Sequence, residues 1–213
     1  MKRNRKHFCI ACCLLAMFAL WTVAVRFVDV QAIDPEGSAV GFATINGLFH
    51  QWSGVHMWLY TVTDWLGLVP IAVALGFAIL GLVQWISRKK LKKVDRSLFV
   101  LAGFYLVVMA VYVLFEYVVI NRRPILINGF SEASYPSSTT MLVMCVMPTA
   151  MLQLQARIRN RILKRCVLLA IAAFIAFMVI GRLVSGVHWL SDIIGGALFS
   201  AGVVWMYRSI CHQ

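Results

Sequence analysis

Three short segments of the sequence carry residue types that could bind and transform an anion. The segment 121–124 reads Asn-Arg-Arg-Pro, and its proline disfavours helix at the preceding residue, which places both arginines in a loop. The segment 134–140 reads Ser-Tyr-Pro-Ser-Ser-Thr-Thr. Proline followed by hydroxyl side chains is typical of a helix start, where free backbone N–H groups and the helix dipole favour an anion. The third segment, 181–192, begins Gly-Arg and contains a histidine and an aspartate.

The third segment supplies a candidate nucleophile. His188 and Asp192 are four residues apart, so at the start of a helix they share one face. A carboxylate in that position can hold the imidazole in one tautomer and stabilise its protonated form. Arginines, a helix amino terminus and an oriented histidine together predict a phosphate site with a nucleophile. Each feature also has a simpler interpretation, as an interface anchor, a helix cap or a structural pair.

The composition indicates that a membrane-embedded helical bundle must position these segments. The chain has 213 residues, of which 62% are hydrophobic and 13% charged, with a mean hydropathy of +0.84. Soluble domains are about 45–50% apolar and about 25% charged, so a soluble enzyme and a disordered chain are both excluded. A helix needs roughly 20 apolar residues to cross a bilayer. Apolar stretches of about this length occur at 8–30, 65–86, 97–120, 137–154, 166–184 and 190–207. We therefore predict an all-α bundle of six membrane helices, forming a single domain over 1–213 with its motif region at 116–192.

The net charge of +12 is mainly a matter of topology. Of the 20 Lys and Arg residues, 16 lie at the amino terminus, after the second and fourth spans, or after the sixth. By the positive-inside rule this side is the cytoplasm and holds both termini, so a nucleic-acid partner is disfavoured. Arg26 can snorkel to the outer interface. The remaining cations, Arg122, Arg123 and Arg182, lie at outer helix ends, where such charges are costly and usually functional.

Two other regions near the amino terminus allow alternatives. The first span resembles a secretory signal, but its apolar run exceeds the usual 7–15 or so residues, which favours a retained helix. The glycine-interrupted segment 32–64 predicts a helical stretch along the outer interface, which either lines substrate access or simply covers the bundle. Within it, His50 and His56 either approach the site as acids or lie among interfacial aromatic residues.

The order and spacing of the three segments resemble the membrane-bound type 2 phosphatidic acid phosphatase family, which is related to the vanadium haloperoxidases. The signature of that family is Lys-x6-Arg-Pro, then Pro-Ser-Gly-His, then Ser-Arg-x5-His-x3-Asp. Both intervals of the third motif are reproduced here, and this motif is the most specific part of the resemblance. The matching residues are Arg123-Pro124, Pro136-Ser137, and Arg182, His188 and Asp192.

The resemblance implies a function and a role for each matching residue. His188 would attack phosphorus to give a phosphohistidine intermediate, and Asp192 would orient it. Arg123, Arg182 and Ser137 would bind phosphate. The implied protein is a lipid phosphate or diphosphate phosphohydrolase of the cell membrane with its site on the extracytoplasmic side. It would need no metal or organic cofactor, its partners would be a phosphorylated lipid and the bilayer, and its oligomeric state stays open.

The sequence departs from the family at four motif positions. Glu116 replaces the lysine, Ser138 the glycine, Thr139 the histidine, and Gly181 the serine. Arg122 could restore the lost lysine charge, and Ser138 could add a phosphate ligand. Glu116 either pairs with an arginine or faces a water-filled cavity. The hydroxyl of Thr139 is too weakly acidic to replace the imidazole that protonates the leaving group.

The missing acid bears on the substrate. A phosphate monoester expels an alkoxide that needs protonation, whereas a diphosphate expels a phosphate group that needs little. We therefore expect a lipid diphosphate, such as a polyprenyl diphosphate, to be the favoured substrate. The alternative is a catalytically impaired member that acts as a lipid-binding or scaffold protein. A transporter is less favoured, because no span is broken near its middle by paired Gly or Pro.

Overall fold

The computed structural model describes residues 2–33, 38–127 and 129–211. Two-residue strands β1 (Gln31–Ala32) and β2 (Ala39–Val40) pair antiparallel after the first helix, and a 3₁₀ turn covers Leu91–Lys93. The helices are α1 (Lys2–Phe27), α2 (Ala43–Ser53), α3 (Met57–Leu66), α4 (Leu68–Arg88), α5 (Arg96–Tyr117), α6 (Ser138–Arg157), α7 (Arg161–Val184) and α8 (Leu190–Cys211).

The prediction of six membrane helices is confirmed. Within the described residues, the segments long and apolar enough to cross a membrane are Asn4–Phe27, Met57–Arg88, Arg96–Tyr117, Ser138–Arg157, Arg161–Val184 and Leu190–Cys211. The chain is therefore a multi-pass membrane protein. The side on which its termini lie stays a prediction.

The second span differs most from its predicted bounds. It begins at Met57, because α3 leads into α4 through Gly67, whose φ of −60° and ψ of −19° are helical. The segment predicted to lie along the interface therefore contributes one helix, α3, to this span. The other, α2, exposes Ile45, Leu48 and Trp52 while burying Asn46, as an interfacial helix would, and its position in the bilayer stays a prediction.

The two central helices are the least apolar of the six spans. The most apolar windows of α6 and α8 have mean hydropathies of 1.3 and 1.4, and half or more of their residues are buried in protein. The other four spans reach 2.5–2.6 and are mostly exposed on the outside of the bundle. Polar side chains are costly against lipid, so α6 and α8 can carry them only because protein surrounds both helices.

Small residues bring α8 close to the segment that precedes α6. A Cβ atom at Gly195 would lie 2.5 Å from Cε2 of Tyr135, whose ring is buried. The Tyr135 hydroxyl is fixed in turn by a 2.7 Å hydrogen bond with the Thr22 hydroxyl of α1. Trp21, the neighbour of Thr22, donates its indole N–H to the Ser191 carbonyl at 3.1 Å. The first helix is thus packed into the bundle, and its retention as a membrane span stays a prediction.

This packing predicts a selective loss of stability. Gly195→Ala should lower the Tm of the detergent-solubilised protein by about 2–10 °C, because the Tyr135 ring has no room to move and overpacking costs about 1–3 kcal/mol. Gly76→Ala on α4 is the matched control, since nothing lies within 4 Å of its added Cβ. Equal Tm values for the Gly195 variant and the control would contradict the prediction.

Candidate functional site

The site is built around a buried carboxylate in the first turn of α8. Asp192 is 0% exposed, and its Oδ2 accepts hydrogen bonds from the Ser134 hydroxyl at 2.7 Å and from the Trp189 backbone N–H at 2.9 Å. Its Oδ1 accepts from Nδ2 of Asn121 at 3.0 Å. A buried charge needs such donors. Ser134 and Asn121 lie inside the segments that the sequence singled out, but neither was identified as a partner of Asp192.

A second set of buried amides ties α2 to the same place. Asn46 donates from Nδ2 to the Ser191 hydroxyl at 2.9 Å and to the Gly41 carbonyl at 2.8 Å. Its Oδ1 accepts from the Ser191 backbone N–H at 3.0 Å. Asn121 completes the network by accepting from the Gly41 backbone N–H at 3.1 Å. No pattern in the sequence indicated Asn46, because its partner lies 145 residues away.

His188 lies in the turn before α8 and is 3% exposed. Its Nδ1 is 3.8 Å from Oδ2 of Asp192, which is longer than a hydrogen bond, and neither ring nitrogen has a hydrogen-bond partner among the described residues. Burial lowers the pKa of His188 to about 4; the Asp192 carboxylate opposes this effect, and the charges of Arg123 and Arg182 reinforce it. The ring is therefore neutral near pH 7, which is the state a nucleophile requires.

Arg182 is held at the end of α7 by residues of α3. Its side chain is 2% exposed, and its guanidinium lies 3.5 Å from the Tyr60 carbonyl, 3.4 Å from the Thr63 hydroxyl and 3.4 Å from Oδ1 of Asp64. Its Cζ lies 4.8 Å from the centre of the Tyr60 ring. The Nε of Arg182 is buried and has no hydrogen-bond partner within the described part of the chain. None of these α3 residues was predicted as part of the site.

Arg123 approaches the same tyrosine from the loop after α5. Its Cζ lies 5.9 Å from the centre of the Tyr60 ring, and its side chain is 9% exposed. Its Nε pairs with Oε2 of Glu132 at 3.1 Å, while its buried Nη1 has no partner among the residues described. Arg123 and Arg182 thus both keep a buried N–H group unpaired. A phosphate is the kind of acceptor that would satisfy them.

Arg122 is turned in a different direction from Arg123. Its Nη1 donates to the Ser131 carbonyl at 2.6 Å, and its own carbonyl accepts from the Trp189 indole at 2.7 Å. The arginines that act electrostatically on His188 are Arg123 and Arg182. The suggested replacement of the missing lysine charge by Arg122 therefore has no contact to support it.

The residues at the substituted motif positions occupy different places. Glu116 and Ser138 line, together with His188, a cavity of about 10 Å³, which is room for about one water molecule. Of the two alternatives for Glu116, the arrangement favours the one in which it faces a cavity, since the carboxylate paired with Arg123 is Glu132. Thr139 lies in the first turn of α6 and is not among the residues that line this cavity.

Ser137 forms the amino-terminal cap of α6. Its side chain is fully buried and accepts from the Thr140 backbone N–H at 3.4 Å, while its own backbone N–H donates to the Asp192 carbonyl at 3.2 Å. The capping interpretation of this serine therefore has a direct contact. Its hydroxyl proton is still free to be donated to a phosphate, so the two roles are compatible.

The outer histidines are not brought to the cavity beside His188. The His50 ring packs on the Trp189 ring with centroids 5.5 Å apart, and burial lowers its pKa. His56 is exposed, and its Nε2 contacts the Ser53 carbonyl at 2.9 Å. Neither residue lines the cavity, so their suggested acid role has no contact to support it.

Comparisons with known proteins point to one family. The sequence model of the PAP2 superfamily matches residues 117–212, which contain all seven of the matching motif residues and end close to the end of α8. The fold matches a crystal structure described as the first transmembrane PAP2 type phosphatidylglycerolphosphate phosphatase from Bacillus subtilis, with a TM-score of 0.60, 20% identity and 94% of each chain covered. At this identity the likeness shows the fold alone. No curated protein matches the sequence at the significance threshold applied.

The low pKa of His188 predicts a pH-dependent stability. The native state keeps this imidazole neutral down to about pH 4, whereas the unfolded chain protonates it near pH 6.5. The free energy of unfolding should therefore fall as the pH drops from 6.5 towards 4. In His188→Asn this part of the fall should disappear, so that the Tm in detergent decreases less between pH 7 and pH 4.5. Exposed His56→Asn is the control, and identical slopes for all three proteins would contradict the shift.

Proposed function

We propose that this chain, whose residues 117–212 match the model of the PAP2 superfamily, is a member of that superfamily and a membrane lipid phosphatase that acts at the outer leaflet. One observation supports this most: a buried His188, whose ring nitrogens have no hydrogen-bond partner among the described residues, lies in the field of two arginines that each keep a buried N–H without a partner there. Such a pocket is complementary to a phosphate group and contains a nucleophile to attack it.

The proposed reaction has two steps. Nε2 of His188, the ring nitrogen farther from the Asp192 side, attacks phosphorus, and the bond from phosphorus to the leaving oxygen breaks. The product is a phosphohistidine whose positive charge the Asp192 carboxylate stabilises at 3.8 Å. Arg123 and Arg182 neutralise the phosphoryl oxygens, on which negative charge is concentrated. Water then attacks the phosphohistidine and releases inorganic phosphate, which returns His188 to its neutral form.

The leaving group decides the proposed substrate. An alkoxide has a conjugate acid with a pKa of roughly 15.7, as for water, so a monoester without a general acid loses about 10²–10⁴-fold in rate. Hydrolysis of a diphosphate instead expels a phosphate monoester. The second pKa of this leaving group is roughly 6, so it needs little protonation. Because position 139 carries threonine, the chemistry favours a lipid diphosphate, with a polyprenyl diphosphate as the representative substrate.

The nucleophile is tested by phosphate release from a small lipid panel in detergent micelles. His188→Ala should abolish release from every substrate, because the proposed phosphohistidine cannot form without the imidazole. His56→Ala, at an exposed position outside the pocket, should retain the wild-type rate. A robust rate that survives in His188→Ala would discard the assignment of the nucleophile.

The substrate preference is tested by comparing kcat/KM for polyprenyl diphosphate and phosphatidate. The wild type should prefer the diphosphate by about 10²–10⁴-fold, the contribution of the missing acid. Thr139→His should raise the rate with phosphatidate and change the diphosphate rate little, and Thr139→Asn is the control without a proton donor. Faster cleavage of phosphatidate than of polyprenyl diphosphate by the wild type would refute the preference.

A non-catalytic lipid-binding protein is the second candidate. It is favoured by the carboxylate of Glu116, which lines the cavity beside His188 where the family carries a lysine. Such a protein would bind a phosphorylated lipid with similar affinity in the wild type and in His188→Ala, and neither would release phosphate. The same panel therefore separates the two candidates.

A further inference from the structure

We propose that Tyr60 of α3 is a positioning residue that sets Arg182 and Arg123 for phosphate binding. This inference rests on the proposed function, and it extends the site to a helix outside the matched residues 117–212. The ring of Tyr60 is the shared surface of the two arginines, with their Cζ atoms 4.8 Å and 5.9 Å from its centre.

The ring of Tyr60 offsets the electrostatic repulsion between Arg123 and Arg182. Two guanidinium groups beside a single phosphate pocket repel each other when the pocket is empty, and burial strengthens that repulsion. The face of an aromatic ring carries partial negative charge, so it attracts both cations without neutralising either of them. A carboxylate in the place of Tyr60 would neutralise one arginine and compete with the phosphate.

The carboxylates that do pair with these arginines lie at the surface. Asp64 pairs with Arg182 and has a side chain 58% exposed, and Glu132 pairs with Arg123 and has a side chain 44% exposed. Ion pairs of that exposure contribute little, typically about 0–1 kcal/mol, so they do not fix the orientation of a buried guanidinium. The half-buried ring of Tyr60 and the Thr63 hydroxyl, 3.4 Å from Nη1 of Arg182, are contacts that the guanidinium makes away from these exposed carboxylates.

The glycine at position 181 explains how α3 can come so near to α7. A Cβ atom at Gly181 would lie 2.8 Å from Cγ2 of Thr63. Thr63 cannot easily turn away, because its hydroxyl donates to the Leu59 carbonyl at 2.8 Å and to the Tyr60 carbonyl at 3.0 Å. The serine that the family carries here would push α3 away from Arg182. The glycine at position 181 therefore leaves the space that the contacts between α3 and Arg182 require.

The first test compares Tyr60→Leu with Tyr60→Phe, which keeps the ring and loses only the hydroxyl. Binding of inorganic phosphate to the purified protein in detergent is measured by calorimetry, and kcat and KM are measured with polyprenyl diphosphate. Tyr60→Leu should weaken phosphate binding by about tenfold, the size of a desolvated cation–π contact. KM should rise by a similar factor with a smaller change in kcat, because the arginines contact phosphate in both ground and transition states. Tyr60→Phe should bind phosphate like the wild type.

A double-mutant cycle shows whether the ring acts through the arginine. In an Arg182→Gln background, Tyr60→Leu should weaken phosphate binding by much less than tenfold, since the main group that it positions is gone. An equal factor in both backgrounds would overturn the proposal, as would equal binding by Tyr60→Leu and the wild type. If Arg182→Gln does not fold, loss of binding in Tyr60→Phe to the same extent as in Tyr60→Leu overturns it, and retained binding in Tyr60→Phe alone supports it.

Phosphate binding separates this proposal from the proposed function. If no variant releases phosphate from any lipid, the catalytic function fails, while the affinities of the Tyr60 variants still decide the positioning role. If the wild type hydrolyses lipid but Tyr60→Leu matches it in both KM and phosphate affinity, the function stands and the positioning role fails. A wild type that binds no phosphate overturns the positioning role directly.

Discussion

The end of the bundle that carries the candidate site depends on one buried carboxylate. Asp192 is fully enclosed, and an ion in that environment is several kcal/mol less stable than in water unless hydrogen bonds replace its hydration. The donors come from Asn121, Ser134 and the Trp189 backbone, so the segments after α5, before α6 and before α8 must all meet at this carboxylate. Removing any one of these donors would leave a buried acceptor short of a partner, which costs about 1–3 kcal/mol.

The proposed phosphate site is arranged in the opposite way from the Asp192 network. Asp192 accepts hydrogen bonds at both of its oxygens, whereas His188, Arg123 and Arg182 keep buried polar atoms that have no partner in the part of the chain that the structure describes. Unpaired buried donors lower the stability of the empty protein, and a bound phosphate would supply the missing acceptors. The hydrogen-bonded network around Asp192 thus supports the residues of the proposed phosphate site.

The substituted motif positions change the chemistry more than the frame. Ser137 still caps α6, and His188 still precedes α8, so the helices begin where the family motif would place them. Thr139 removes an ionisable proton donor, and Glu116 adds a negative charge to the cavity wall beside His188. The loss of a proton donor at position 139 is the basis of the proposed preference for a leaving group that departs as a stable anion.

Local patterns in the sequence determined the six spans, because hydropathy over about 20 residues reflects the thickness of the bilayer and needs no tertiary information. They also placed His188 and Asp192 near the start of α8, but the prediction that both share one face of this helix is wrong, because α8 begins at Leu190 and His188 lies in the turn before it. The distance of 3.8 Å between them, and the use of Asp192 by Asn121 and Ser134 instead, came from chain segments far apart in sequence. The same holds for the pairing of Arg123 with Glu132 and for the contact of both arginines with Tyr60. A charge in a sequence does not specify its partner, because helices that cross the membrane bring distant residues together, and only the tertiary structure decides which of them meet.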